Sequence, residues 1–167
     1  MWHSLALIGA CFATNALQLM GDENRLHYFL LWTAGLGAWA AIFWALRRRM
    51  GPVTFVERQI AHHWAGSMIC IALLFPLEAW LNLPPLKLSP VLGLVTGMVF
   101  LAKAGILSGE FYIWAVLLFL TAIPMALFPN YAHFIFGVAS ACCFFFPGLK
   151  YYRQRLRAIM AALRGST

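Results

Sequence analysis

The sequence predicts an all-α polytopic membrane protein with six transmembrane helices and with both termini in the cytoplasm. The first reason is composition: 63% of the 167 residues are hydrophobic and only 10% are charged, with a mean hydropathy of +0.79. A soluble domain carries about 25% charged residues, so this chain cannot cover a water-facing surface and must face lipid over most of its area. The other reasons are six long apolar runs and the grouping of basic residues at their ends.

The six apolar runs approach the length that crosses about 30 Å of hydrocarbon at about 1.5 Å per helical residue. They are residues 2–20, 26–46, 60–82, 90–107, 111–128 and 131–149. The first run lacks a positively charged leader and contains Asn15 and Gln18, so we interpret it as a retained helix rather than a signal peptide. The sequence therefore divides into a transmembrane domain, 1–149, and a basic cytoplasmic juxtamembrane tail, 150–167.

Lysine and arginine are unevenly distributed between the segments that connect the runs. With the amino terminus in the cytoplasm, ten fall on the inner side and only Arg25 and Lys87 on the outer side. Cytoplasmic loops carry this excess, so the sequence predicts a multi-pass protein of a bacterial inner membrane. The net charge of +7 is accounted for in this way, and we expect no nucleic-acid partner. The residues expected to set topology or contact anionic lipid head groups are Arg47, Arg48, Arg49, Lys150, Arg153, Arg155 and Arg157.

Two of the predicted helices begin with capping patterns. Thr54 and Glu57 have the spacing of a capping box, in which the two side chains satisfy backbone groups at a helix start. We therefore expect the third helix to begin near residue 55, before it enters lipid. Ser89 followed by Pro90 predicts an N-cap and a first helical residue for the fourth helix.

Two charged residues fall inside the apolar runs, where polar groups are costly and often functional. Glu78 lies near the outer end of the third run and Lys103 near the inner end of the fourth. They are therefore separated by roughly 15 Å along the membrane normal, which argues against a direct ion pair. The simpler interpretation has Lys103 extending to the cytoplasm, toward Glu110, and Glu78 reaching the outer interface.

The histidines near the outer face supply two further hypotheses. Glu78 could belong to a sensing or proton-linked pocket with His27, His133 or Gln18. His27 and His133 also fall at matching depth on two helices, as the axial ligands of a haem iron would, although both lie at helix ends, where interfacial histidine is common. The four cysteines do not have the C-x₂-C spacing of a zinc site, and we expect neither a cofactor nor a structural metal.

Small residues at helical spacing let helix backbones approach closely in lipid. Gly93 and Gly97 form a GxxxG pair on the fourth run. Gly35 and Gly37 leave little side-chain volume on one side of the second run. Packing within the bundle is one interpretation, and a homodimer interface is the other. The sequence contains no nucleophile elbow, metalloprotease motif or phosphate-binding glycine loop, so we expect no catalytic activity.

Three stretches carry a family resemblance: GPVTFVERQIAH, LSPVLGLVTGMVFLAKAGILSG and FPGLKYYRQR. From about residue 26 to 155 the chain resembles the carboxy-terminal polytopic membrane domain of bacterial serine/threonine protein kinases of the planctomycete type. In those proteins a cytoplasmic kinase domain precedes the membrane segment, which agrees with a cytoplasmic amino terminus. The glycine-rich loop, the H-R-D loop and the D-F-G motif of kinases are absent from this sequence, so no kinase catalytic residue carries over.

The resemblance implies a non-catalytic membrane anchor or sensor module of a kinase-type signalling system. Such a module would act through a change in helix packing or dimer state, transmitted by the inner hairpin 47–59 and the basic tail. Its expected partners are anionic lipids, a cytoplasmic kinase domain or another membrane subunit, and a second copy of the chain. The alternatives are a small transporter or channel, a haem- or quinone-binding membrane protein, and a structural subunit of a membrane complex.

Overall fold

The computed structural model describes residues 2–49 and 51–164, and every regular element in those ranges is helical. This confirms the predicted all-α fold class. Six helices follow one another along the chain, and a short 3₁₀ turn, Pro129–Tyr131, precedes the last of them. The helices are α1 (Trp2–Leu19), α2 (Arg25–Arg49), α3 (Phe55–Trp80), α4 (Pro90–Ile106), α5 (Glu110–Leu127) and α6 (Ala132–Arg164).

Four of these helices are long and apolar enough to cross a membrane. They are α2, α3, α5 and the segment Pro129–Gln154, which includes most of α6. The apolar parts of the other two helices are shorter and cover Ser4–Leu19 and Pro90–Ile106. The structure therefore indicates association with a membrane, while the count of six spans stays a prediction.

Polar contacts between the elements gather at two opposite ends of the bundle. One end, here called the Glu78 end, carries the 20–24, 81–89 and 128–131 connections. The other, here called the Lys103 end, carries the 51–54 and 107–109 connections. At the Glu78 end the bonded pairs are Gln18 with the Pro129 carbonyl, Arg25 with the Leu83 carbonyl, and Ser89 with His133. At the Lys103 end the pairs are Arg47 with Glu57, Lys150 with Glu110, and Ser108 with Tyr151.

Helices α1, α4, α5 and α6 form the packed core of the molecule. At Gly93 on α4, an added Cβ would lie 2.9 Å from the Leu118 carbonyl oxygen of α5, and at Gly97 it would lie 2.8 Å from the Phe119 ring. At Gly137 on α6, it would lie 2.7 Å from Cys11 on α1. These glycines let neighbouring helix backbones approach closely, which is how helices associate in lipid.

Helices α2 and α3 form a hairpin that is packed much less tightly. Only 6% of the most apolar window of α2 and 11% of that of α3 are buried, and no atom of a neighbour lies within 4 Å of a Cβ added at Gly35 or Gly37. The hairpin is attached to the core by Trp32, whose indole N–H donates to Thr14 of α1 over 2.9 Å. Trp32 lies in a π-helical turn, Leu30–Gly35, within α2.

The tip of the hairpin is held by the predicted capping box. The Thr54 hydroxyl accepts the Glu57 N–H over 3.2 Å, and the Glu57 carboxylate accepts the Thr54 N–H over 3.0 Å. The same carboxylate accepts two bonds from the Arg47 guanidinium, over 2.9 and 2.7 Å. Arg47 therefore ties the last turn of α2 to the first turn of α3, whereas Arg48 and Arg49 are exposed.

Helix α6 continues well beyond the predicted end of the sixth span at residue 149. It has 33 residues and contains Pro147, and a straight helix of that length is about 50 Å long. The basic tail is therefore a helical continuation of α6. Lys150 binds Glu110 of α5, while Arg153 and Arg157 are exposed. The side chain of Arg155 lies outside the described residues.

Candidate functional site

Glu78, near the end of α3, is a buried carboxylate with only 2% of its surface exposed. Its Oε2 accepts the Leu86 N–H over 3.0 Å, and its Oε1 accepts the Leu88 N–H over 2.7 Å. Burying an ionised carboxylate is very costly unless it is hydrogen-bonded or paired, and here the 81–89 loop supplies both bonds. Glu78 therefore points into the protein rather than to the outer interface, contrary to the simpler prediction.

The 81–89 loop has a strained backbone where Glu78 binds it. Leu86 has a φ of 65° and Asn82 a φ of 54°, in the left-handed region that costs an L-residue about 1–2 kcal/mol. Leu86 is also buried, with 9% exposure. Two further side-chain bonds hold the loop: the Arg25 guanidinium donates to the Leu83 carbonyl, and the Ser89 hydroxyl donates to the Leu86 carbonyl over 2.5 Å.

His133, on the first turn of α6, is fully buried beside this loop. Its Nε2 lies 3.3 Å from the Ser89 Oγ. Since Ser89 gives its single proton to the Leu86 carbonyl, Nε2 must be the donor in this contact. The neutral ring then has an acceptor at Nδ1, and this buried atom has no partner among the described residues. The ring centroid of Trp32 lies 5.9 Å from that of His133.

A small cavity joins these groups. It is lined by Glu78, Ser89, His133 and Trp32 together with apolar side chains of α3, α4 and the loop, and its volume is about 20 Å³. That volume suits one water molecule, since a water needs about 10–15 Å³. A carboxylate, a hydroxyl and an imidazole around a water-sized space can exchange protons. Among the described residues no three His, Cys, Asp or Glu side chains gather in a metal-binding group.

Of the partners predicted for Glu78, only His133 lines the same cavity. His27 is exposed and lies in the first turn of α2, where its Nδ1 is 2.6 Å from the Asp22 carboxylate of the α1–α2 connection. This contact, followed by a hydrogen bond from the Asn24 N–H, keeps the pKa of Asp22 below its usual value. Gln18 instead donates to the Pro129 carbonyl over 3.3 Å. His27 and His133 thus have separate partners and differ in burial, His27 being exposed and His133 buried.

Lys103, at the opposite end, occupies a box of aromatic rings. Its Nζ lies 4.6 to 6.0 Å from four ring centroids, those of Phe100, Trp64, Phe144 and Phe111, which come from four different helices. Cation–π contacts of this kind contribute about 2 kcal/mol or more where water is excluded. The predicted contact of Lys103 with Glu110 is wrong, because Glu110 binds Lys150.

The sequence did not predict two features of the site. Ser89 occupies the N-cap position of α4, as predicted, but its hydroxyl makes no capping bond and faces Leu86 and His133 instead. The bonds to Glu78 come from backbone N–H groups, which have no residue signature. The nearest signal is the Pro84-Pro85 pair, which indicates a tight loop just after the α3 carboxylate.

Comparison with known proteins adds no relative: no protein-family model, curated protein or solved structure matches this chain. The kinase-type resemblance therefore stays a prediction based on the three stretches quoted above.

Proposed function

We propose that this chain is a non-catalytic, multi-pass membrane module that senses a change at its Glu78 end and transmits it to the cytoplasm. The observation that carries the proposal is the convergence of Glu78, Ser89 and His133 on one small cavity of the bundle. Intramembrane ionisable groups that face the protein interior usually mark functional sites. The cavity lies where α2, α3, α4 and α6 meet, so a change there reaches both the hairpin and the long helix.

In this proposal the Lys103 end faces the cytoplasm of a bacterium and the membrane is the inner one. The arginines of the hairpin tip and the basic tail lie at this end, which supports the orientation through the excess of cytoplasmic lysine and arginine. Reporter fusions at residues 22, 87, 52 and 164 test it. A reporter that works only in the periplasm should be active when it is fused at residue 22 or 87. A reporter that works only in the cytoplasm should be active when it is fused at residue 52 or 164. A cytoplasmic signal at 22 or 87 would contradict the six-span topology.

The cytoplasmic partner in this proposal is a serine/threonine protein kinase domain, on the resemblance alone. The test is to isolate the native gene product from its own membranes with an antibody against residues 150–164 and to assay the isolate for protein kinase activity. We expect kinase activity, either in a product heavier than 18.7 kDa or in a separate subunit, and we expect Glu78→Ala to change it. An isolate without kinase activity would contradict a kinase-linked role.

A small transporter is the second candidate, because a carboxylate and a histidine beside a water-sized cavity also suit proton-coupled transport. Purified chain in liposomes distinguishes the two functions. Solute or proton flux that disappears in Glu78→Gln would establish transport and contradict the sensor. For the proposed module we expect no flux above that of empty liposomes.

A further inference from the structure

Both oxygens of the Glu78 carboxylate are used to hold the 81–89 loop. They accept the N–H groups of Leu86 and Leu88 over 3.0 and 2.7 Å. An ionised carboxylate accepts at both oxygens, whereas protonation turns one oxygen into a donor. A proton on Glu78 removes the negative charge and takes up one acceptor position of the carboxylate. Both bonds to the loop therefore lose the strength that the charge gives them.

The loop can move when the bond between Glu78 and the Leu86 N–H weakens. The N–H that Oε2 holds belongs to Leu86, the residue with a φ of 65°. A left-handed conformation in a leucine persists only where the surroundings enforce it. Other bonds remain on this part of the loop: side-chain bonds from Ser89 and Arg25, and backbone bonds such as those from the Lys87 N–H and the Ser89 N–H. None of them acts on the Leu86 N–H. Loss of the Glu78 bond thus leaves the strained residue free to relax.

Few other charged groups face Glu78 from the elements around it. Helix α6 contributes His133, which lines the same cavity, and α2 contributes Arg25, which donates to the Leu83 carbonyl. Within the loop, Lys87 is exposed. Helix α4 contributes Ser89 at its N-cap and Leu92, neither of which carries a charge. Glu78 is the acidic group of this cavity, and the cavity has room for the one water that delivers a proton.

We propose that Glu78 is a proton-binding site and that its protonation releases the 81–89 loop from the end of α3. The proton comes from water at the Glu78 end and adds to one carboxylate oxygen, while hydrogen bonds change and no covalent bond breaks. This names the signal of the sensor proposed above, and the inference rests on that proposed function. It makes the module responsive to acidification on the side of the membrane that the loop faces.

The experiment follows the mobility of the loop in the full chain. A nitroxide is placed at Lys87→Cys in a background with Cys70→Ser and Cys142→Ser, since these two native cysteines are not fully buried. The protein is reconstituted in lipid nanodiscs, and spectra are recorded from about pH 8 to about pH 3, which brackets the ordinary titration of glutamate at about 4.3. We expect an immobile label at high pH and loss of the immobile component on acidification.

The matched variant is Glu78→Gln, which resembles the protonated carboxyl in shape and charge. We expect its label to be mobile at every pH, with the spectrum that the unsubstituted chain shows in acid. His27→Asn removes a titratable group at the same end and should leave the pH response unchanged. If Glu78→Gln does not fold, as judged by its helical circular dichroism, Glu78→Asp replaces it. The aspartate keeps the charge, so its label should still respond to pH.

Three results would overturn the proposal. An immobile label in Glu78→Gln would show that Glu78 does not hold the loop. A pH-independent label in the unsubstituted chain, combined with a mobile one in Glu78→Gln, would show a permanent anchor rather than a proton site. Loss of the pH response in His27→Asn would assign the titration to the Asp22–His27 contact. None of these results bears on the kinase-activity and flux measurements, which test the proposed function separately.

Discussion

The hairpin and the packed core of this protein are held together in different ways. The most apolar windows of α5 and of Pro129–Gln154 are 28% and 39% buried, whereas those of α2 and α3 are 6% and 11% buried. The core combines close backbone approach at glycines with polar contacts such as Lys150–Glu110. The hairpin lacks the close approach at its glycines and depends more on polar contacts such as Trp32–Thr14 and Arg47–Glu57. Lipid is as apolar as a leucine side chain, so a helix in a membrane can leave most of its surface without protein neighbours. The comparison teaches that packing and polar anchoring are alternative ways to position such helices.

The largest expected effect comes from a methyl group added in the core, and the same change in the hairpin is its control. Gly93→Ala would place a Cβ 2.9 Å from the Leu118 carbonyl oxygen and 3.2 Å from the Ala122 nitrogen. We expect a loss of about 1–3 kcal/mol in the free energy of unfolding, as in other overpacked cores. Gly37→Ala, the matched change in the hairpin, meets no atom within 4 Å and should stay within about 0.5 kcal/mol. Thermal unfolding in detergent measures both, and equal losses would contradict the division into two regions.

A smaller effect is expected at the hairpin tip. Glu57→Ala removes the bond to the Thr54 N–H and the ion pair with Arg47. The Thr54 hydroxyl can still accept the N–H of residue 57, so the start of α3 is weakened but not uncapped. Glu57→Gln keeps a side chain that can complete a capping box and loses only the charge, which contributes little to stability at an exposed position. Hydrogen exchange of the amides at 55–58 should therefore rise more in the alanine variant. Faster exchange in the core as well would show that the hairpin is not an independent unit.

The smallest expected effect is at Asp22, where the α1–α2 connection joins the hairpin to the core. The pKa of Asp22 is lowered, first by the bond with His27 and then by that with the Asn24 N–H. A lowered pKa means that the contribution of Asp22 to stability is present above its ordinary pKa and is lost as the pH falls through the lowered value. Asp22→Asn should therefore lower the unfolding midpoint near pH 6. This difference should shrink as the pH approaches 3, and a constant difference would contradict the assignment.

Helix positions could be predicted closely because they depend on local sequence. The fourth helix was expected over 90–107 and runs Pro90–Ile106, and the third begins at Phe55 behind its capping box. The π-helical turn at Leu30–Gly35 could not be predicted, because such turns are rare. The helical tail beyond residue 149 was missed because a drop in hydropathy marks the end of the lipid core and not the end of a helix.

The candidate site was only partly predictable for a related reason. The position of Glu78 in an apolar run singled it out, and His133 was one of three suggested partners. Its actual bonds go to backbone groups of the following loop, whose path depends on a left-handed leucine that no residue preference indicates. The contacts of Lys103 were also not predictable from the sequence. Its aromatic neighbours come from four helices, and helix depth alone suggested Glu110.

Helix α6 joins the two ends of the molecule through one element. The same continuous helix carries His133 at the cavity and Arg157 in the tail, and the Lys150–Glu110 ion pair joins it to α5 between those points. A helix of 33 residues is about 50 Å long, so the buried cavity and the exposed basic tail are connected along the backbone with no loop between them.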